Sequence, residues 1–110
     1  MAEPTLDLES FRGSLRAPGP PGAANMALRA LWFDAKGRPE SAHRAAHFEE
    51  SPSCQRVRAY LLRKKGRNRE ARMAYWRAGV RPWEGDDASE WLDIVQTLLA
   101  EFPVASAYGA

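Results

Sequence analysis

The sequence predicts an all-α fold of about five helices: two tandem antiparallel helical hairpins and a covering C-terminal helix. Three observations predict it. Lys36-Gly37-Arg38-Pro39-Glu40-Ser41-Ala42 is echoed by Lys65-Gly66-Arg67-Asn68-Arg69-Glu70-Ala71, and Ala45 is then matched by Ala74. In each copy a helical run reaches a glycine and a second run begins at once. Apolar residues recur at helical spacing through both copies and beyond, and no segment alternates apolar and polar residues around a tight-turn dipeptide.

Residues 1–24 read as a flexible N-terminal arm and Pro/Gly linker. Leu6, Leu8, Phe11 and Leu15 can form a short capping element. Ala17-Pro18-Gly19-Pro20-Pro21-Gly22 cannot be helix interior, because proline lacks a donor and glycine adds backbone entropy. The helical domain is expected over 25–102, with 103–110 as a tail.

The first helix of that domain is expected from about Ala24 to Lys36, with Leu28, Leu31, Trp32 and Ala35 on one face. Gly37 suits the left-handed position after it, and Pro39 suits the first turn of the next helix. That second helix carries Ala42, Ala45, Ala46 and Phe48 as its apolar set. Ser51 is placed to cap the third helix and Pro52 to start it; Cys54, Val57, Tyr60 and Leu61 follow, and Gly66 ends it. Asn68 is the expected cap of the fourth helix, whose stripe is Ala71, Ala74, Tyr75 and Ala78, with Gly79 and Pro82 beyond. The fifth helix follows Gly85-Asp86-Asp87 and presents Trp91, Ile94, Val95, Leu98, Leu99 and Phe102. Asp86, Asp87 and Glu90 near its start suit the positive end of the helix dipole.

The spacing from Gly37 to Ala42 and from Gly66 to Ala71 resembles tetratricopeptide-type repeats, in which a small residue follows a glycine by five positions. The resemblance covers about residues 27–80, but the period is 29 (Gly37 to Gly66) against about 34 in that family. It implies that the two hairpins stack, since neither buries its apolar face alone. A narrower likeness runs over about residues 28–99. Leu31-Trp32, Ala42-His43, Ala59-Tyr60-Leu61-Leu62-Arg63 and Arg77-Ala78-Gly79 resemble a family of small uncharacterised bacterial helical proteins. Leu62 stands where that family has histidine, and Met73 and Ala74 replace a tyrosine-tryptophan pair. The likeness implies a helical fold and carries over no catalytic residue.

At 110 residues the chain suits a single domain with a modest core. No apolar run approaches the ~18 residues of a membrane span. Met1-Ala2-Glu3-Pro4 is acidic and lacks an apolar core segment, so a secretory signal is not expected. Cys54 is the lone cysteine, which excludes an internal disulfide and a multi-cysteine metal site. A reducing, cytoplasmic location is expected. The charge is lopsided. Residues 56–81 hold ten basic side chains against the single acid Glu70, a balance of +9, whereas residues 82–110 hold six acids and no base.

Four features are candidates for function. Arg69, Arg72, Met73, Trp76 and Arg77 lie largely off the apolar stripe of the fourth helix, so an exposed tryptophan among arginines would form a binding face. The same arginines, with Tyr60, Tyr75 and Trp76, can hold nucleic acid through phosphates and stacking; cross-helix ion pairs would instead neutralise them. His43 and His47 stand at i, i+4, as in helical zinc sites, but Arg44 replaces the glutamate of a zinc protease; alternatively His43 packs between helices. Cys54 has Arg56 and Arg58 nearby, which favour thiolate, yet it also falls on the apolar stripe. No phosphate loop or serine nucleophile elbow is present. The expectation is a non-enzymatic protein-interaction module with no cofactor. Its partner would be acidic or a second copy of itself, with nucleic acid as the alternative and no membrane partner.

Overall fold

The computed structural model describes residues 6–101, and among them it is all-helical. The helices are α1 (Leu8–Gly13), α2 (Met26–Ala35), α3 (Pro39–Ala46), α4 (Pro52–Lys64), α5 (Asn68–Ala78) and α6 (Asp87–Glu101), with a 3-10 turn at Ser14–Arg16. The five expected helices are α2 to α6. Phe102 and the expected tail lie outside the described residues.

The 29-residue echo is a repeated helix stop. Gly37, Gly66 and Gly79 take φ of 74°, 81° and 77°, and no other described residue has positive φ. After α2 the Gly37 N–H donates to the Asp34 carbonyl and the Arg38 N–H to that of Phe33. After α4 the same bonds run from Gly66 to Arg63 and from Arg67 to Leu62. After α5 they run from Gly79 to Trp76 and from Val80 to Tyr75. Each set satisfies orphan carbonyls of a helix end, and glycine enters the left-handed region without a Cβ penalty.

The helix starts follow local chemistry. Ser51 Oγ accepts the Cys54 N–H at 3.1 Å, with Pro52 in the first turn, and Asn25 caps α2 through the Leu28 N–H at 2.9 Å. Asn68 is not the cap of α5. Arg67 holds that position, its carbonyl accepting from Ala71, just as the Arg38 carbonyl accepts from Ala42. The connections after Gly37 and Gly66 are so tight that the very next residue is the cap, and the helix opens on Pro39 or Asn68.

α2 and α3 form one hairpin, and α4 and α5 form the other; α4 also packs on α2 and α3. Ala42, Ala45 and Ala46 on α3, and Ala71 and Ala74 on α5, are buried where the partner helix comes close. α6 crosses α4, α2 and α1. Leu28, Leu31, Trp32, Val57, Tyr60, Ile94, Val95 and Leu98 form the main buried cluster; Ala59, Ala71, Ala74 and Tyr75 form a second.

From the stretch read as arm and linker, Leu6, Leu8, Phe11, Leu15 and Ala24 pack against this core. Phe11 is fully buried. The Trp32 indole N–H donates to Ser14 Oγ at 3.1 Å, and Lys36 Nζ to the Leu15 carbonyl at 2.6 Å.

Phe48 does not join the apolar face of α3: it is 72% exposed. α3 stops at Ala46, where the buried Arg58 of α4 takes over its end. Arg58 Nε donates to the Ala46 carbonyl at 2.7 Å and its Nη2 to that of Glu49 at 2.8 Å. A guanidinium serving the last carbonyls of a helix replaces a further turn, and Phe48 is left in the connection.

Candidate interaction surface

α5 is positioned by its inner stripe. Ala71, Ala74 and Tyr75 are buried against α4, which turns positions 69, 72, 73, 76 and 77 outward. Arg69, Arg72 and Arg77 are exposed, Met73 is 50% exposed and Trp76 75%. The expected face is therefore one surface. Val80, 43% exposed, lies past the Gly79 turn and borders a different recess, with Arg56 of α4 and Asp93 of α6.

The basic residues divide into two sets. Those of α4 are engaged: Arg56 with Glu90 at 2.8 Å, Arg58 with Glu50 at 3.1 Å, Arg63 with Asp87 and Glu90 at 3.1 and 3.0 Å, and Lys64 with Asp34 at 2.9 Å. Neutralising cross-helix ion pairs describe this set. Those around Trp76 are not engaged. Among the described residues Arg69, Arg72, Arg77 and Arg81 make no ion pair, and Arg67 meets only Glu70, at 3.7 Å between two exposed side chains. A pair of that kind contributes little.

His43 and His47 face each other with ring centroids 4.0 Å apart. His43 is exposed rather than packed between helices, because α3 turns its small residues, Ala42, Ala45 and Ala46, toward the core. The His43 pKa is lowered, by partial burial first and then by His47, Lys65, Arg58 and Arg67. No group of three histidine, cysteine, aspartate or glutamate side chains suited to a metal exists among the described residues. Cys54 is buried, and that burial raises its pKa and favours the thiol over the thiolate.

The residue that sequence reasoning missed is Glu90. It reads as an acid near a helix start, but it is fully buried. Its Oε2 accepts from Arg56 at 2.8 Å and from the Tyr75 hydroxyl at 2.5 Å; its Oε1 accepts from Arg63 at 3.0 Å. Arg63 also donates to the Gly85 carbonyl, fixing the start of α6. The available signal was register: Glu90 precedes Ile94 and Leu98 by four and eight residues, on the buried ridge of α6. A second cluster has the same design. Asp34 accepts from the Tyr60 hydroxyl at 2.6 Å and from Lys64, joining α2 to α4.

No helix among the described residues is long and apolar enough to cross a membrane. No protein-family model, curated protein or solved structure matches the chain.

Proposed function

We propose that the protein is a non-enzymatic docking module whose α5 face binds an acidic, partly apolar segment of a protein partner. The observation that carries this reading is the setting of Trp76. An exposed indole shares the outward face of α5 with Met73, and Arg69, Arg72 and Arg77 on that face have no ion pair among the described residues. Tryptophan and arginine are the residues most often responsible for interface energy, and guanidinium groups without counter-charges complement carboxylates. The paired hairpins, similar in layout to tetratricopeptide repeats, suit a binding scaffold. A cytoplasmic setting suits the buried thiol of Cys54.

The test is calorimetric titration with peptides that place leucine or phenylalanine among glutamates. Binding weakened about tenfold or more by Trp76→Ala, with an unchanged melting temperature, supports the reading. Equal loss of binding and stability sinks it.

A second reading is nucleic-acid binding through the same face, favoured by an indole free to stack beside open guanidinium groups. It requires affinity for RNA or DNA that falls steeply with salt. Absence of any mobility shift at low salt and micromolar protein removes it.

A further inference from the structure

On the side of α4 away from α6, a groove of about 360 Å³ runs between α3 and α5. His43 and His47 form one wall and Met73 and Arg77 the other, while Leu61 and Leu62 contribute to its floor. Lys65 and Arg67 enter from the connection between α4 and α5. The one acid in its lining, among the described residues, is Glu70, whose contact with Arg67 is long and exposed. Arg58 is the other cation there; Glu50 pairs with it at 3.1 Å, accepts from Gln55 at 2.9 Å, and also lies within electrostatic reach of His47 and Arg77. Asp34 and Lys64 border an adjoining recess shared with His43, but they pair with each other at 2.9 Å. Lys65 and Arg77 have no ion pair among the described residues. Arg58, Lys65, Arg67 and Arg77 thus face two carboxylates, Glu50 and Glu70, and the groove keeps a net positive charge that concentrates anions.

We propose that this groove binds a tetrahedral oxyanion, either free phosphate or the phosphoryl group of a monoester. Lys65 and Arg77 supply the fixed charge, and the histidine pair supplies the rest. His47 Nδ1 lies 2.9 Å from the His43 carbonyl, which can only accept, so Nδ1 carries the proton. In the neutral ring Nε2 then has none, and it can donate to an oxyanion only once the ring is cationic. Two cationic rings 4.0 Å apart repel each other, and a bound dianion removes that repulsion. Anion and proton therefore bind cooperatively, and each raises the affinity for the other by the same factor. The lowered His43 pKa, to which Lys65, Arg58 and Arg67 contribute after burial and His47, fits the same local field. Met73 and Arg77 belong both to this groove and to the α5 face, but Trp76 does not line the groove, so the site does not depend on the docking role of Trp76.

The test follows the histidine ring protons by nuclear magnetic resonance during titration with inorganic phosphate, O-phosphoserine and sulfate, each against chloride at matched ionic strength. Saturable displacement of both rings is expected. Tighter binding of O-phosphoserine assigns the site to a monoester, and equal or tighter binding of phosphate assigns it to the free ion. Sulfate keeps its charge between about pH 5.5 and 7.5, so uptake of one linked proton appears as a gain of about tenfold in its affinity at the lower pH. Lys65→Gln with Arg77→Gln abolishes the displacement, and Trp76→Ala leaves it intact. Displacements no larger than those in chloride, or undiminished in the double variant, overturn the proposal.

Discussion

The Tyr75 hydroxyl donates to Glu90 Oε2 across 2.5 Å, and that bond ties α5 to α6 inside a cluster completed by Arg56 and Arg63 of α4. Three helices meet on one carboxylate with no exposure to solvent. Glu90→Ala takes the acceptor from Arg56 and from the Tyr75 phenol, and one of three from Arg63, so it should destabilise by about 3 kcal/mol. Tyr75→Phe removes one bond and leaves the arginines in place, at about 1–2 kcal/mol. Urea melts of both single variants and the double variant should show a coupling of about 1 kcal/mol or more. Strict additivity would show that the bond carries nothing of its own.

Alkaline pH should loosen the same cluster. Burial, followed by the bond to Glu90, pushes the Tyr75 pKa up to about 12, and Tyr60 is raised by burial and Asp34. In the unfolded chain both phenols ionise near pH 10. Between about pH 10 and 12 the unfolded state therefore sheds protons that the folded state keeps. Stability is intact below pH 10 and falls as pH rises, by up to about 1.4 kcal/mol per pH unit for each tyrosine. Tyr75→Phe should flatten the decline in a series of melts across that range. An identical decline in the variant would contradict the assignment.

Features written within a few residues of one another were legible in the sequence: the glycine stops at Gly37, Gly66 and Gly79, the Ser51 cap, and the inner stripe of α5. The outward row of Arg69, Arg72, Met73, Trp76 and Arg77 follows from that stripe, because a helix that buries Tyr75 turns its neighbour Trp76 away. What was not legible depends on distant partners. Phe48 is exposed because Arg58, twelve residues from Ala46, ends α3. Glu90 is buried because Arg56, 34 residues away, is there to receive it. A carboxylate next to Trp91 reads as a surface acid until its guanidinium partners are placed.

The tryptophans should respond in opposite ways. Trp32 is fully buried and donates to Ser14 Oγ, so Trp32→Ala should cost about 3–5 kcal/mol. Trp76 is 75% exposed, so Trp76→Ala should shift stability by no more than about 0.5 kcal/mol. Thermal melts of the two variants check this directly. A large loss for Trp76→Ala would mean that the α5 face is structural and would remove the basis for docking there.

The glycine stops make the last prediction, because their cost can be isolated from packing. A Cβ built on Gly37, Gly66 or Gly79 meets nothing within 4 Å, so the strain of an alanine there comes from the backbone alone. At φ of 74°, 81° and 77° an L residue brings its Cβ close to the carbonyl oxygen, which costs about 1–2 kcal/mol. Gly66→Ala should therefore destabilise by about that much, and Gly66→Asn by less, since asparagine enters the left-handed region more readily. The two losses should keep this order at all three sites, because the same pair of backbone bonds follows each helix. Melting curves of the six single variants give the comparison. If alanine and asparagine cost the same at Gly66, the stop between α4 and α5 is not held by left-handed geometry, and the echo between Gly37 and Gly66 loses its physical meaning.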